Sequence, residues 1–272
     1  MKRKRWPMRL LLILALLFGG ALADSNLRLV TTEYEIVSAE LPAAFDGFRI
    51  VQLSDLHGAV YGKDNSRLLA AVRAAEPDLI ALTGDLADKH TDLSELEPLL
   101  TALTELAPTY YVSGNHEWAD KRLDALRPML ARCKVRYLRN ESLLFERGGA
   151  SIVLLGVEDP FGPADMPKPD RVADAAPDGF RVMLGHRNDF ADKYPDLAVD
   201  LLLCGHAHGG IWRLPGVGGL LDHGWKLFPK DVDGVIESGR MRVVVSRGMG
   251  NSGGVPRLFN NPELVVAVLK CT

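Results

Sequence analysis

Residues 48–57 read FRIVQLSDLH, an apolar run that ends in an aspartate and a histidine two positions apart. A short apolar run bounded by turn residues is typical of a buried strand. Similar runs follow: 79–88 reads LIALTGDLAD, 109–117 reads TYYVSGNHE, 181–187 reads RVMLGHR and 201–208 reads LLLCGHAH. Each of the five predicted strands therefore ends in a turn that carries Asp, Asn or His.

Amphipathic helices are predicted between the first strands. Apolar residues at helical spacing occupy 68–75, 93–106 and 123–130, and alternation of strand and helix favours parallel pairing. The rest of the chain is richer in strands, with further ones predicted at 27–37, 135–138, 142–145, 152–157, 234–237, 241–246 and 264–269. Because sites in α/β sheets form beyond the carboxyl ends of strands, we expect the five polar turns to meet.

The polar residues at these strand ends form one candidate site. Five of the seven histidines of the chain lie there, which scattered surface histidines would not do. Each motif is weak by itself, but all five in this order form a strong signal. The candidate residues are Asp55, His57, Asp85, Asp88, Asn115, His116, His186, His206 and His208.

These motifs resemble a known family. D-x-H at 55–57, G-D-x-x-D at 84–88, G-N-H-E at 114–117, G-H at 185–186 and G-H-x-H at 205–208 look like the motifs of the calcineurin-like metallophosphoesterases. The resemblance covers nearly all of residues 24–272. Around 201–211 and 246–262 the sequence is similar to the bacterial extracytoplasmic branch of phosphohydrolases and phosphodiesterases. Arg187 follows His186 where many relatives have Asn.

The resemblance implies an α/β (α+β) fold, a four-layer αββα sandwich in which helices flank two mixed β-sheets. It also implies two divalent ions, and a mixed imidazole and oxygen set suits Mn, Fe, Zn or Ni better than Ca or Mg. Carried over by position, the metal ligands would be Asp55, His57 and His208 for one ion, Asn115, His186 and His206 for the other, and Asp85 between them. His116 would lie near the leaving oxygen, oriented by Asp88.

Simpler interpretations exist for single residues. Asp55 and Asp85 could cap the helices that follow, and any polar loop residue could stand at Asp88. Glu158 and Asp159 could line the cleft or be solvated. In the loop 209–233, three aromatic residues could form an apolar wall for substrate or pack the loop down, and His223 fits a structural or surface position. The three aromatic residues are Trp212, Trp225 and Phe228.

The first 23 residues have the three-part design of a secretory signal peptide. Lys2, Arg3, Lys4, Arg5 and Arg9 precede an apolar segment at 10–18, and residues 21–23 read ALA before Asp24. The A-x-A pattern favours cleavage, which leaves 24–272 as one metallophosphoesterase domain. An uncleaved signal anchor is the alternative. Both predict a protein that is secreted or held on the extracytoplasmic face of the membrane.

Charge argues against a nucleic-acid partner. The chain has 32 Lys and Arg against 35 Asp and Glu. Loss of residues 1–23 would remove five of the cations and no acid, which leaves a formal net charge of −8. Nucleic-acid binding needs a basic footprint, so no nucleic-acid substrate is expected.

The expected activity is dinuclear-metal-dependent hydrolysis of a small-molecule or lipid phosphoester by a hydroxide that bridges the ions, with His116 assisting the leaving group. A diester is favoured because the loop 209–233 offers apolar residues and no arginine cluster to grip a terminal phosphate. Two alternatives remain: a hydrolase of lipid-linked phosphate or pyrophosphate, and a non-enzymatic scaffold on the same fold.

Overall fold

The computed structural model describes residues 6–222, 224–251 and 254–272. His223 and the cations at 2–5 lie outside the described residues, so their predicted positions are not assessed. Two six-stranded sheets form the centre of the molecule.

The first sheet is mixed. Its order is β1-β14-β2-β3-β4-β5, and only the β14–β2 pair is antiparallel. Its strands are β1 (Val30–Ser38), β14 (Glu263–Cys271), β2 (Arg49–Leu53), β3 (Leu79–Thr83), β4 (Thr109–Val112) and β5 (Arg136–Tyr137). In the parallel centre, Val51 lies opposite Ile80 and Ile80 opposite Thr109.

The second sheet is also mixed, with antiparallel pairs at its two edges. Its order is β12-β13-β9-β8-β7-β6. Its strands are β12 (Gly234–Ser238), β13 (Met241–Val245), β9 (Leu201–Gly205), β8 (Arg181–Arg187), β7 (Ala150–Gly156) and β6 (Glu141–Arg147). A separate two-stranded hairpin joins β10 (Trp212–Leu214) to β11 (Gly218–Leu221).

The two sheets pack face to face. Ile50 and Val265 of the first sheet and Val182 and Leu203 of the second share one fully buried core. Helices α2 (Ser66–Ala74), α3 (Leu93–Leu106) and α5 (Leu123–Arg132) cover the outer face of the first sheet, and α6 (Pro169–Asp174) and α7 (Phe190–Lys193) cover that of the second. The predicted four-layer αββα sandwich is confirmed.

The sheets are also joined by a buried polar contact close to the carboxyl ends of their strands. The amide of Gln52 on β2 donates to Oγ1 of Thr83 on β3 and to the carbonyl of Cys204 on β9, each at 2.9 Å. This contact fixes the ends of three strands relative to one another.

One long helix stands apart from the sandwich. Helix α1 (Trp6–Leu27) contains the apolar segment predicted near the N-terminus. Its residues Met8–Leu27 are long and apolar enough to cross a membrane, and almost none of that stretch is buried. The helix continues without a break past the predicted boundary at residue 23 and ends shortly before β1 begins.

Candidate metal centre

Five turns meet at one edge of the sandwich. They follow β2, β3 and β4 of the first sheet and β8 and β9 of the second. Backbone hydrogen bonds join the turns, since the N–H of Asp55 donates to the carbonyl of Gly84 at 3.0 Å and that of His57 to Asp85 at 2.9 Å. The carboxyl ends of strands far apart in the sequence are thereby brought to one place.

Three predicted ligands form one cluster in this edge. Potential ligand atoms of Asp55, His57 and His208 all lie within 4.8 Å of one another. Nε2 of His208 is 3.3 Å from Oδ1 of Asp55. All three side chains are buried, so their donor atoms point at one another and away from bulk water.

A second cluster lies beside the first. Potential ligand atoms of Asp85, His186 and His206 also lie within 4.8 Å of one another, and Oδ1 of Asn115 is 3.1 Å from Nε2 of His186. Asp85 and His57 also form a third such group with His116. The structure therefore brings all seven predicted ligands together, with Asp85 between the two clusters.

The donors fit divalent transition metals. Asp55 and Asp85 are both buried, and a buried carboxylate is costly without a cation to offset it. Within the described part of the chain, neither ring nitrogen of the buried His57 makes a hydrogen bond, and the nearest carboxylate oxygens, on Asp88 and Asp85, lie at 3.5 and 3.7 Å. Unmet hydrogen bonds are unusual for a buried polar group. Imidazole nitrogens and carboxylate oxygens together are donors that divalent transition metals accept.

The close contact of histidines and carboxylates in the site shifts their pKa values. Burial alone would lower the pKa of His186, but the neighbouring carboxylate of Asp85 outweighs burial and raises it to about 10. For Asp85, burial alone would raise the pKa. The nearby His186 and His57 outweigh burial and lower the pKa of Asp85 below its usual range. For His206, burial and the nearby His186 and Arg187 lower the pKa to about 4.

The backbone at the site is strained. Five of the seven predicted ligands have φ between 47° and 67°: Asp55, His57, Asp85, His206 and His208. Residues with side chains seldom adopt this left-handed region, and each instance costs on the order of 1–3 kcal/mol. This backbone conformation turns the ligand side chains toward the site at the ends of the strands. The strand ends also pack so closely that glycine is required at some neighbouring positions. A Cβ on Gly205 would lie 2.0 Å from Oγ of Ser54 and 2.2 Å from Oδ2 of Asp55.

Glu117, which was not among the predicted site residues, supports this geometry. It lies on the short helix α4 (Asn115–Ala119) and is fully buried. Its carboxylate accepts the N–H of Asp85 at 3.0 Å, of Ala87 at 3.1 Å and of Gly114 at 2.8 Å. Burial and the nearby Asp85 raise the pKa of Glu117 to about 7. The three backbone N–H donors offset part of the free-energy cost of burying this carboxylate. Because they come from the turns after β3 and β4, they also hold these two turns together.

His116 lies at the opening of the site, but its carboxylate partner differs from the expected one. Its N–H donates to Oδ1 of Asp85 at 2.8 Å, and its Nδ1 is 3.4 Å from Oδ2 of Asp120. Asp120 is four residues later and caps the C-terminal end of α4, so the helical turn brings its side chain beside that of His116. Asp120 was not among the predicted site residues because helix α4 was not predicted.

Asp88 has other partners. Its Oδ1 accepts the N–H of His90 at 2.8 Å and the hydroxyl of Thr91 at 3.1 Å. Its Oδ2 is 3.5 Å from Nδ1 of His57, and this histidine, against the effect of burial, lowers the pKa of Asp88. The expected orientation of His116 by Asp88 is therefore replaced by a contact of Asp88 with His57.

Glu158 and Asp159 neither line the cleft nor lie in solvent. The carboxylate of Asp159 is fully buried and binds Nε and Nη2 of Arg187 at 2.7 and 3.2 Å. Nη1 of Arg187 is 3.2 Å from Nε2 of His206. Glu158 is buried beside the Tyr137 hydroxyl, to which it is hydrogen-bonded. Asp159 thus holds the guanidinium of Arg187 next to His206, one of the predicted metal ligands.

A cleft of about 410 Å³ opens from the site. The loop 209–233 forms one wall and contributes Asp222, Lys226, Pro229, Lys230 and Val232. The three aromatic residues of this loop do not line the cleft, and they are not packed down. Trp225 is 72% exposed, Phe228 56% and Trp212 38%. The predicted wall of aromatic residues is replaced by a mixed wall with two lysines, one aspartate and the apolar Pro229 and Val232.

Comparison with known proteins agrees with this geometry. The family model for the calcineurin-like phosphoesterases matches residues 48–210, which contain all five motifs. The chain is 29% identical over 255 residues to the uncharacterized metallophosphoesterase YkuE of Bacillus subtilis, covering 89% of this chain and 86% of that protein.

Two further relatives have informative names. Phosphodiesterase YaeI of Escherichia coli is 29% identical over 232 residues, with 82% of each chain covered. The transmembrane protein with metallophosphoesterase domain of Bos taurus is 29% identical over 203 residues, which is 66% of this chain and 44% of that protein. With the family model matching more than half of its length, the chain belongs to the calcineurin-like phosphoesterases and is a metal-dependent phosphoester hydrolase.

Proposed function

We propose that the seven converging side chains hold two divalent transition-metal ions and that the enzyme hydrolyses phosphodiesters. The observation that carries this proposal is the pair of ligand clusters, within each of which the donor atoms lie no more than 4.8 Å apart. Asp55, His57 and His208 would hold one ion, Asn115, His186 and His206 the other, and Asp85 would contact both. When bound there, two such ions would supply an activated water and positive charge to offset that of the phosphate.

The side chains around the clusters supply the remaining chemistry. His116 protonates or stabilises the leaving oxygen, since it lies at the cleft opening and histidine is the commonest general acid in enzymes. Asp120 holds the ring of His116. Asp88 acts through His57, as an outer partner that orients a metal-ligating histidine. Lys226 and Lys230 on the cleft wall are the cations that could contact the anionic substrate, and they share the cleft with Asp189, Asp192 and Asp222.

A diester fits the cleft better than a monoester. The cleft extends from His116 along the loop wall to Lys230 and Val232, so a second ester group on the phosphate has room beside the loop. The name of the relative YaeI supports the same preference. Hydrolysis of bis-p-nitrophenyl phosphate should exceed that of p-nitrophenyl phosphate; an equal or reversed preference would sink the diesterase assignment.

We infer that α1 holds the enzyme on the extracytoplasmic face of the membrane and that residues 24–272 form its catalytic unit. Cleavage after Ala23 would leave only Asp24–Leu27 of the helix, too few residues to stay helical alone. Yet Ser25 and Asn26 make hydrogen bonds to residues 257–259 in their helical positions. N-terminal sequencing of protein extracted from membranes tests this: a chain that starts at Asp24 would show a cleaved signal peptide.

Lipid-linked phosphates and pyrophosphates are the second candidate substrates. The observation in their favour is the exposed Trp225 and Phe228 on the loop that also carries the cleft lysines. Assays would compare a soluble diester with phospholipids presented in vesicles. Cleavage of the soluble diester without any cleavage of lipid phosphoesters would remove this candidate.

The central test combines metal content with activity. Purified full-length protein should contain about two transition-metal ions per chain. Asp85→Asn should reduce both metal content and activity, whereas His116→Ala should keep the metal and lose roughly a hundredfold or more in kcat. The exposed Asp124→Asn and His90→Ala are matched controls. Wild-type protein that stays metal-free and inactive after Mn, Fe or Zn is supplied would overturn the proposal.

A further inference from the structure

We propose that an exposed apolar surface beside the cleft lies against the bilayer that α1 enters, so that the cleft opens at the level of the lipid headgroups. This bilayer surface consists of Trp212, Leu214, Trp225, Leu227, Phe228 and Phe259, all of which are exposed. The inference rests on the anchor proposed above and not on the catalytic assignment.

The surface begins at the end of α1. The N–H of Phe259 donates to the hydroxyl of Ser25 at 2.7 Å. The amide of Asn26 donates to the carbonyl of Arg257 at 2.8 Å and accepts the N–H of the same residue at 3.0 Å. The last turn of α1 is therefore bonded directly to the segment 257–259, without a linker between helix and domain.

The surface continues through short paired segments. Leu258 pairs in parallel with Trp212, and the N–H of Arg213 donates to the carbonyl of Leu258 at 3.0 Å. Trp212 pairs with Leu221 across the β10–β11 hairpin, and Leu221 pairs with Leu227. Segments 257–259, 211–214, 218–221 and 227–228 thus lie side by side, from the end of α1 to the cleft loop.

Their exposed side chains are large and apolar. Trp225, Leu227 and Phe228 are 72%, 63% and 56% exposed. Extended apolar patches on a protein surface mark sites of protein or membrane contact. Tryptophan and phenylalanine in particular bind at the interface between acyl chains and headgroups.

The position of α1 favours a bilayer as the occupant. Met8–Leu27 is 20 residues long, which at 1.5 Å per residue is about 30 Å, the thickness of the hydrocarbon core. The polar residues Asp24, Ser25 and Asn26 at the end of this stretch suit the headgroup region and not the hydrocarbon. The segment 257–259, which is bonded to Ser25 and Asn26, then lies at the same level. Lys226 and Lys230, both exposed, alternate with the apolar residues of the loop and suit lipid phosphates.

The metal centre is close to this interface. The buried Arg257, whose backbone binds Asn26, places Nη2 3.3 Å from Nδ1 of His208. One residue therefore joins the end of α1 to a predicted metal ligand. A phosphoester in a lipid headgroup would reach the cleft without leaving the membrane surface.

Quenching of tryptophan fluorescence by brominated lipids tests the surface. The chain has four tryptophans, so Trp6→Phe, Trp118→Phe and Trp212→Phe together leave Trp225 as the reporter. The full chain is reconstituted in phosphatidylcholine and phosphatidylglycerol vesicles with bromine on the upper acyl carbons. We expect Trp225 to lose roughly half or more of its emission, because an interfacial ring lies among those carbons.

Two reporters elsewhere provide the matched controls. Trp118 donates its Nε1–H to Oγ of Ser113 inside the domain and, as the only tryptophan left, should not be quenched. Leu144→Trp, in a chain whose native tryptophans are all Phe, places a ring on the exposed edge strand β6, at the opposite side of its sheet from β12; it should behave in the same way. Far-ultraviolet circular dichroism checks that every reporter chain is folded.

Each other outcome overturns the proposal in a distinguishable way. A Trp225 reporter that co-floats with vesicles, emits as in water and is not quenched would show that the surface faces solvent. Blue-shifted emission without quenching would show that a protein or a second copy covers it. A chain that fails to co-float would refute the anchor and the surface together. None of these readouts requires metal or catalysis, so a catalytically inactive protein can still support the bilayer surface.

Discussion

Nδ1 of His116 lies 3.4 Å from Oδ2 of Asp120, the residue that caps the C-terminal end of α4 four positions later. The carboxylate is itself held, because Oδ2 of Asp120 accepts the N–H of Lys89 at 3.0 Å. A fixed carboxylate can orient an imidazole. The contact therefore gives His116 a partner at the C-terminal end of its own helix, and leaves Asp88 beside His57.

Asp120→Asn tests this pairing. The amide keeps the shape but loses the charge, so we expect kcat to fall about a hundredfold, as for loss of a single acid–base contribution, while metal content stays unchanged. Asp88→Asn should instead weaken metal binding through His57. Steady-state kinetics and metal analysis separate the two, with the exposed Asp124→Asn as control. Normal kcat in Asp120→Asn, with loss of kcat at full metal content in Asp88→Asn, would restore the pairing of His116 with Asp88.

Glu117→Gln should weaken the whole centre. Both carboxylate oxygens of Glu117 accept backbone N–H groups, and a glutamine would turn its own NH₂ toward at least one of those donors. An unsatisfied buried donor costs about 1–3 kcal/mol, so we expect a loss of roughly that free energy of unfolding, and less bound metal. Urea denaturation measures it. The exposed Glu95→Gln is the control, and a change no larger than in that variant would show that Glu117 is not a support of the site.

Gly205→Ala should displace a ligand. The new Cβ would lie 2.2 Å from Oδ2 of Asp55 and 2.0 Å from Oγ of Ser54, which is too close for either atom to remain. Overpacking of this kind costs about 1–3 kcal/mol, and we expect metal affinity to fall because Asp55 moves. Isothermal titration calorimetry with Zn²⁺ or Mn²⁺ measures the affinity. Gly224→Ala, where a Cβ meets no atom closer than 3.4 Å, should bind metal as the wild type does.

Metal binding should release protons. In the metal-free chain the pKa of His186 is raised to about 10, because Asp85 outweighs the effect of burial. Below that pH the ring of His186 carries a proton that a metal ion must displace. The apparent affinity for metal should therefore fall as the pH is lowered, by about tenfold per pH unit for each proton released.

Calorimetry in buffers of different ionisation enthalpy counts these protons at pH 8. We expect His186→Asn to release about one proton fewer than the wild type, and the exposed His90→Ala to release the same number. Equal release from all three proteins would mean that His186 is neutral before metal binds, against the raised pKa.

Much of the architecture could be predicted from the sequence, because buried strands and helices place apolar residues at characteristic spacings. The five apolar runs that precede the polar turns are strands, and the predicted helix at 93–106 matches α3. Helix α4 was not predicted, because its five residues are too short to show a helical period. Without this helix, the sequence did not indicate that the side chains of His116 and Asp120 lie close together.

The sequence by itself indicated the strands that lead into the site and the residues at their ends, because short apolar runs and the turns that bound them are local information. The four layers were implied by the resemblance to a known family. Only the tertiary structure decided how those residues meet. Both carboxylate oxygens of Asp55 accept the N–H of His206, 151 positions away, and Asp159 is buried against Arg187 and not exposed at the cleft. Such contacts depend on side-chain direction and on left-handed backbone at the turns. Both are set by packing between distant segments, which no local pattern encodes.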